Sequence, residues 1–216
     1  MFIEKKASKN SLANRKLLHG YGINDAEYMV RCRDANSDEL FCPYYKKWSG
    51  MITRCYSKRL HEKSPTYKDC FVCDEWLTFS NFKLWMKQQD WKGMELDKDL
   101  LVSGNKSYNP NTCIFVPRYI NTLIIDCGAS RGENKKGVCF DKAKGKYLAS
   151  CREYGKNRYL GRYKTEEEAW VVYNCFKSNH IREVVKTWGL SEKLSLALLR
   201  IADQYIVTRK HDSIEP

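Results

Sequence analysis

The sequence lacks a long apolar run, a leader-like start and a surplus of acidic residues. No stretch of about 18 apolar residues occurs, so we expect no membrane-spanning helix. Residues 1–16 mix Lys and Glu around no apolar core, so we expect no secretory signal and a cytoplasmic protein. Acidic residues number 26 against 38 Lys and Arg, which leaves a formal charge of +12. Such a surplus predicts an acidic partner, with nucleic acid as the first expectation.

Aromatic residues are abundant, at 13% of a chain of 216 residues. Six Trp, fourteen Tyr and eight Phe can bury enough apolar surface to offset chain entropy, which excludes a disordered protein. At roughly 100–150 residues per domain, this length predicts one or two small domains. We expect Trp48, Trp76, Trp85 and Trp91 to lie in a hydrophobic core, since they stand at helical or strand-flanking positions.

The ten cysteines leave two interpretations open. Without a secretory signal, free thiols or metal ligands are favoured over disulfides. Cys70 and Cys73 form a close pair, and with Cys42 and Cys55 they could supply the four ligands of a structural Zn²⁺ site. The spacing of Cys42 and Cys55 is not that of a zinc knuckle, and buried cysteines otherwise behave as small hydrophobic residues.

The positive charge is concentrated in residues 129–164. This segment has eleven Lys and Arg residues against three acidic residues, a local net charge of +8. A local excess of this size indicates a docking surface for a polyanion rather than general solubility.

Residue patterns divide the chain into an arm at 1–41, a central module at 42–127, a sheet module at 128–182 and a C-terminal helix and tail at 183–216. In the central module, helical spacing predicts helices from Pro43 and around Phe79, and the sequence LDKDLLV at 96–102 predicts a strand. The polar, glycine-containing residues 128–137 are interpreted as a linker. The fold class expected from these patterns is α+β.

Three short strands are predicted after the linker, at Val138–Phe140, Tyr147–Arg152 and Arg158–Tyr163. Turn segments that each contain a glycine join them, as in two successive hairpins. Thr165 and Glu168 then form a capping-box pattern that predicts the start of a helix. A last helix is predicted from the apolar stripe between residues 191 and 206.

The sheet module resembles the DNA-binding domain of the APETALA/ethylene-response-factor family. The resemblance is carried by GVCFDKAKGKYLASC and RYLGRYKTEEEAWVVY, in the order and spacing of that family. It implies a three-stranded antiparallel sheet packed on one helix, with the exposed sheet face in the major groove of double-stranded DNA. Cys139 and Asp141 stand where the family places base-reading arginines, so the family's target sequence is not carried over.

Alternation of side chains along a strand predicts which residues of this module face the helix and which face DNA. Tyr147, Ala149 and Cys151 are expected to face the helix. The expected DNA contacts are Lys142, Lys144, Lys146, Ser150, Arg152, Asn157, Arg158 and Tyr159. Arg152 is best suited to pair with a guanine edge, whereas the lysines suit phosphate contacts.

The central module resembles phage-borne HNH endonuclease-like proteins through CPYYKKWSGMITRCY, YKDCFVCDEW and LDKDLLVSGNKSYNPNTC. The resemblance implies a ββα-metal module in which a His activates water beside a divalent cation such as Mg²⁺. On this sequence the metal-binding Asp falls on Asp97, the His on Lys98, the orienting Asn on Thr112 and a third position on Asn121.

Lys98 departs from the HNH pattern, because a lysine stays protonated near neutral pH and suits phosphate binding better than water activation. Asp97 and Asp99 are expected on one strand face, where they could together hold the Mg²⁺. Another interpretation is that they serve a turn and pair with Lys98 and Lys106. His61 is the single His of this module.

These patterns predict a sequence-selective protein that binds double-stranded DNA, with three interpretations left open. The first is a phage-encoded, homing-like HNH DNA endonuclease in the host cytoplasm. The second is a degenerate HNH scaffold that acts as a DNA-binding regulator or anti-host factor. The third is a module that contacts RNA or a host protein. The departure at Lys98 distinguishes the first two.

Overall fold

The structure, a computed structural model, describes residues 2–33, 36–125 and 133–211, with side chains included up to residue 206. The chain divides into two units, Met1–Val116 and Pro117–Pro216, and each has its own hydrophobic core. Helices and small sheets occur in both units, which confirms the predicted α+β class. In the described part of the chain, no helix is both long and apolar enough to span a membrane.

The first unit combines short helices with two-stranded sheets. Its helices are α1 (Lys9–Ala13), α2 (Pro43–Tyr56), α3 (Lys58–Lys63), α4 (Asp74–Leu77) and α5 (Phe79–Lys87). Its strands are β1 (Arg31–Arg33), β2 (Glu39–Phe41), β3 (Phe71–Val72), β4 (Met94–Asp97), β5 (Ser107–Tyr108) and β6 (Ile114–Pro117). β1 pairs with β2 in antiparallel fashion, β3 with β5 in parallel, and β4 with β6.

The core of the first unit forms around the buried face of α2. This helix has Pro43 in its first turn, and Trp48 and Cys55 are buried on one face. The Trp48 Nε1–H donates to the Trp76 carbonyl at 2.8 Å, so the ring is anchored as well as buried. Trp85 packs on Trp76 with ring centroids 4.4 Å apart. The four tryptophans expected in the core are thus buried in it or packed against it, which confirms that prediction.

The strand predicted at 96–102 ends early, at Asp97. One carboxylate oxygen of Asp97 accepts the backbone N–H groups of Asp99, at 2.8 Å, and of Leu100, at 2.7 Å. An aspartate that binds backbone groups two and three residues further on favours a turn over an extended strand. The prediction that Asp97 and Asp99 share a strand face is therefore wrong, and Asp97 is a turn residue.

The second unit is a three-stranded sheet packed on a long helix. Its elements are α6 (Arg118–Ile124), β7 (Val138–Asp141), β8 (Lys146–Glu153), β9 (Lys156–Tyr163), α7 (Glu166–Thr187) and α8 (Glu192–His211). The strands pair in the order β7–β8–β9, each antiparallel to its neighbour, at the predicted positions. Ala149 of the sheet is buried against Ala169 of α7. Helix α8 packs on α7, where Ser178 Oγ donates to the Ala202 carbonyl at 2.9 Å.

Helix α7 begins at the predicted capping box. The Glu168 N–H donates to Thr165 Oγ1, and the Thr165 N–H donates to Glu168 Oε2, both at 3.2 Å. The acidic first turn of α7 also suits the positive end of the helix dipole. Local sequence alone therefore determines where this helix starts.

The linker predicted at 128–137 is only partly described. Residues 126–132, and with them the predicted boundary at 127–128, lie outside the described residues. The structure divides the chain after Val116, so α6 belongs to the second unit. Gly137 joins the sheet, because its carbonyl accepts the Ser150 N–H at 2.9 Å.

A β-bulge interrupts the pairing of β8 with β9. Ser150 pairs with Tyr159, but the neighbouring Ala149 pairs with Gly161, so Leu160 is an inserted residue. Gly161 adopts a φ of +131°, a conformation that favours glycine. After the bulge, the side chains alternate in the opposite sense. Arg162, for example, then faces away from α7.

Candidate nucleic-acid interface

The sheet of the second unit has one face against α7 and one face away from it. Ala149 and Cys151 of β8 are buried on the helix side, as alternation predicted. The opposite side, which we call the outer face, presents Cys139 and Asp141 of β7, Lys146, Leu148, Ser150 and Arg152 of β8, and Asn157, Tyr159 and Arg162 of β9. The outer face thus has three cationic side chains and one carboxylate, with an aromatic ring among them.

Arg162 is positioned on the outer face by its neighbours. Its Nε–H donates to Asp141 Oδ2 at 3.1 Å, and its guanidinium carbon lies 5.5 Å from the ring centroid of Tyr159. Tyr159 is 56% exposed, so its ring presents a flat apolar surface to solvent. A positioned guanidinium beside an exposed ring suits contact with both phosphates and base edges.

Arg152 stands at the hairpin end of the outer face. Its Nε–H donates to the Gly155 carbonyl at 3.3 Å, which orients the guanidinium across the β8–β9 turn. A cavity of about 430 Å³ is lined by Arg118, Tyr119, Thr122, Leu123, Arg152, Gly155 and Lys177. Burial lowers the pKa of Lys177. With two arginines and a lysine in its wall, the cavity suits an anionic group such as a phosphate.

Most of the predicted DNA contacts gather on or beside the outer face. The residues on the face itself are Lys146, Ser150, Arg152, Asn157 and Tyr159. Lys142 and Lys144 lie exposed in the turn that joins β7 to β8. The structure therefore brings together seven of the eight residues that the sequence pattern selected.

Arg158 is the predicted contact that lies elsewhere. It pairs with the buried Cys151, which places it on the helix side of the sheet. Its Nη1–H donates to Glu153 Oε2 at 2.7 Å, and its guanidinium carbon lies 5.3 Å from the ring centroid of Phe176 on α7. Arg158 thus holds the sheet edge to the helix and does not belong to the outer face.

Arg162 is the outer-face cation that the sequence pattern did not select. Strict alternation from Tyr159 places Arg162 on the helix side, and the bulge reverses that parity. A glycine inside a strand pattern, here Gly161, is the sequence signal that could have indicated the bulge.

Four residues of the predicted HNH site, Asp97, Lys98, Asp99 and Thr112, are joined by hydrogen bonds that run through Asn105. Lys98 is 6% exposed, and its ammonium donates to Asp99 Oδ1 at 2.6 Å and to the Asn105 carbonyl at 2.7 Å. Asn105 Nδ2 donates to the Lys98 carbonyl at 2.8 Å and to Thr112 Oγ1 at 3.2 Å. Burial raises the pKa of Asp97, although two backbone N–H groups bind its carboxylate. These contacts organise the loop between β4 and β5.

The Mg²⁺ predicted at Asp97 and Asp99 does not fit the residues around them. An ammonium group already binds Asp99, and among the described residues no third His, Cys, Asp or Glu side chain gathers with the two carboxylates. Asn121, the predicted third position, lies on α6 in the second unit. His61 is used locally, because its Nε2 lies 2.9 Å from the Arg54 carbonyl.

The four cysteines considered for Zn²⁺ are placed in and around the core of the first unit. Cys42, Cys55 and Cys70 are buried, and Cys73 is half-buried. Within the described ranges these thiols do not gather into a group of three metal ligands. Burial raises the pKa of Cys55 to about 12, which favours the neutral thiol over the thiolate that zinc binds. Their surroundings match the interpretation as small hydrophobic residues.

Replacing Lys98 with methionine is expected to lower the free energy of unfolding of the first unit by about 1–3 kcal/mol, because the Asn105 carbonyl loses its donor. Equilibrium unfolding in urea measures the change, with Lys92→Met at an exposed position before β4 as the control. A variant of unchanged stability would contradict the role of this ammonium group in closing the loop.

A group of metal-ligand side chains that the sequence patterns did not select lies within the second unit. The ligand atoms of Glu153, His180 and Glu183, the Glu–His–Glu group, lie within 4.8 Å of one another. Burial lowers the pKa of His180, which is on α7. The spacing of His180 and Glu183, one helical turn apart, is a weak sequence signal. Glu153 ends β8, and no sequence spacing connects it to the other two.

The second unit thus offers two surfaces with different chemistry. The outer face is cationic and exposed, whereas the Glu–His–Glu group is built from two carboxylates and a buried imidazole. The loop at Lys98 is closed on itself by hydrogen bonds. No protein-family model, curated protein or solved structure matches the chain.

Proposed function

We propose that this chain is a sequence-selective protein that binds double-stranded DNA with the outer face of the β7–β9 sheet in the major groove. The observation that carries the proposal is the cationic outer face, where Lys146, Arg152 and Arg162 accompany the exposed Tyr159. Strands can enter the major groove and present alternate side chains to base edges. The order of strands and helix also agrees with the resemblance to the APETALA/ethylene-response-factor domain.

The residues of this surface divide by the contact that each suits. The lysines of the β7–β8 turn extend the positive charge beyond the sheet and suit phosphate contacts. Arg152 and Arg162 have planar guanidinium groups that can pair with the O6 and N7 atoms of guanine. Ser150 lies beside Arg152 on the outer face of β8, and Asn157 lies opposite Arg152 on β9. Both add neutral donors and acceptors for other base edges.

For the first unit, we infer an HNH-like scaffold that does not hydrolyse DNA, in a protein that acts as a DNA-binding regulator or anti-host factor. Along the chain the paired strands β4 and β6 are followed directly by α6 of the second unit, and this sequence order is the ββα order of that family. Lys98 stands in the position of the water-activating His, and its ammonium binds Asp99. This position therefore supplies a fixed cation rather than a general base.

Salt dependence of binding tests the DNA proposal on the full chain. The cations on the outer face and its turn should displace counterions from DNA, so the logarithm of the association constant should fall against log salt with a slope of about −4. Lys142→Gln with Lys144→Gln should make the slope shallower by about 2. Lys186→Gln with Lys193→Gln, at exposed positions of α7 and α8, should leave it unchanged. A slope near zero would contradict the proposal.

Selectivity and hydrolysis need separate experiments. Selection from a pool of random duplexes should enrich one sequence, and recovery of an unchanged pool would show binding without selectivity.

Supercoiled plasmid incubated with Mg²⁺, with Mn²⁺ or with EDTA should stay intact with the native chain. Nicking that requires the metal and disappears in the Asp97→Ala, Asp99→Ala double variant would establish the nuclease instead.

A further inference from the structure

His180 is a buried side chain with one ring nitrogen left unsatisfied. The residue is 2% exposed, and within the described part of the chain its Nδ1 has no hydrogen-bond partner. Its Nε2 lies 2.6 Å from the hydroxyl oxygen of Tyr119, which also accepts the Tyr154 N–H at 3.1 Å. In the tautomer with the imidazole proton on Nε2, the Tyr119 oxygen accepts from both Nε2 and the Tyr154 N–H. The lone pair of Nδ1 is then available to a ligand.

Two carboxylates lie opposite that lone pair. Glu153 Oε1 is 3.9 Å and Glu183 Oε2 is 3.8 Å from Nδ1, so neither forms a hydrogen bond with it. With the imidazole proton on Nε2, three electron-rich atoms converge here, and a cation among them offsets their mutual repulsion. We propose that Glu153, His180 and Glu183 form a binding site for a divalent transition-metal ion, with Zn²⁺ as the preferred ion.

The surroundings support the three ligands in this role. Glu153 uses its second oxygen, Oε2, to accept from Arg158 at 2.7 Å, which turns Oε1 toward His180. Tyr119 fixes the imidazole in the same way. Contacts of this kind orient metal ligands and set their tautomer. The Glu183 side chain is 58% exposed, so an ion can enter from solvent and water can complete its coordination.

The ligand set favours Zn²⁺ over the commoner hard cations. One imidazole nitrogen and two carboxylate oxygens match the bonds of about 2.0–2.2 Å that Zn²⁺ forms. Zn²⁺ also exceeds Mn²⁺ and Fe²⁺ in affinity for such ligands, whereas Mg²⁺ prefers oxygen ligands alone.

An ion at this position would connect two elements of the second unit. Glu153 ends β8, and the other two ligands lie on α7, so the ion would tie the β8–β9 hairpin to the helix. Arg152, the neighbour of Glu153, is on the outer face, and the tie would stiffen that end of the sheet. The site itself does not depend on the proposal of DNA binding.

Titration of the full chain with Co²⁺ tests the site, because its spectrum distinguishes nitrogen and oxygen ligands from the thiolates of the ten cysteines. We expect visible d–d bands without a thiolate charge-transfer band. Glu183→Gln should weaken binding at least about tenfold, and His180→Gln, whose amide can still reach Tyr119, should do the same. Glu192→Gln, an equal charge change at an exposed position of α8, should leave binding unchanged.

Thermal unfolding gives an independent measurement. Zn²⁺ at about a hundred times its Kd should raise the Tm by roughly 10 °C in the native chain and in Glu192→Gln, but not in Glu183→Gln. The proposal is overturned if thiolate bands dominate the Co²⁺ spectrum, or if Glu183→Gln binds metal as the native chain does. A failure to bind DNA in the salt titration would contradict the proposed DNA interface on the outer face and would leave the metal site untouched.

Discussion

Replacing Arg152 and Arg162 together with glutamine is expected to weaken the binding of double-stranded DNA by about 100-fold. Each guanidinium contact with a base edge or a phosphate contributes roughly 1–3 kcal/mol, and about 1.4 kcal/mol corresponds to a tenfold change in affinity. Arg152 donates to the Gly155 carbonyl, and Arg162 contacts Asp141 and the ring of Tyr159, all at the protein surface, so the fold should tolerate the change. Fluorescence anisotropy at one fixed salt concentration measures the loss.

The matched control is a double variant that removes two positive charges from residues that do not lie on the outer face. Arg158 lies on the helix side of the sheet and Lys186 is exposed near the end of α7, so Arg158→Gln with Lys186→Gln should change affinity by no more than about twofold. An equal loss of affinity in both double variants would mean that binding follows net charge rather than this face. That result would contradict the assignment of the interface.

Replacing Gly137 with alanine is expected to lower the free energy of unfolding of the second unit by about 2–6 kcal/mol. The φ of Gly137 is +80°, and an added Cβ would lie 2.0 Å from Cδ2 of Tyr173. The penalty therefore combines a disfavoured backbone conformation with overlap against a buried ring of α7. Urea unfolding followed by circular dichroism measures it, and DNA binding should fail at the temperature where this unit unfolds.

Gly145 separates the two contributions. Its φ is +59°, and nothing lies within 4 Å of an added Cβ, so Gly145→Ala should cost only about 1–2 kcal/mol. Adding Tyr173→Leu to Gly137→Ala should recover part of the lost stability, because the ring no longer occupies the space of the new methyl group. Equal destabilisation by Gly137→Ala and Gly145→Ala would contradict the close packing of Gly137 on the helix.

The elements of the second unit were predictable because their signals are local. The capping box at Thr165 acts over one helical turn, and glycine turns separate strands whose buried residues alternate. The outward placement of Ser150 and Arg152 follows from the same alternation. In the first unit, the helix from Pro43 was predictable from the spacing of its apolar residues.

Three sequence predictions differ from the structure, each for its own physical reason. The turn at Asp97 arises because a carboxylate competes with strand pairing for backbone N–H groups, and the apolar pattern around it does not reveal that competition. Gly137 was interpreted as linker because a glycine in a polar segment resembles a loop, whereas its role is close packing on Tyr173. The bulge at Leu160 placed Arg162 on the outer face, since one inserted residue reverses every later side chain of the strand. Arg158 precedes the bulge and lies on the helix side because it pairs with Cys151.

The sequence by itself determined the α+β class, the three strands and their helix, and the cationic character of the sheet module. Each of these follows from composition or from residues close together in the chain. Only the tertiary structure decided that Arg162 joins the outer face and that Lys98 is enclosed by Asp99 and Asn105. It alone brought Glu153 to His180, because ligand atoms from a strand end and a helix meet through packing, which no spacing along the chain specifies.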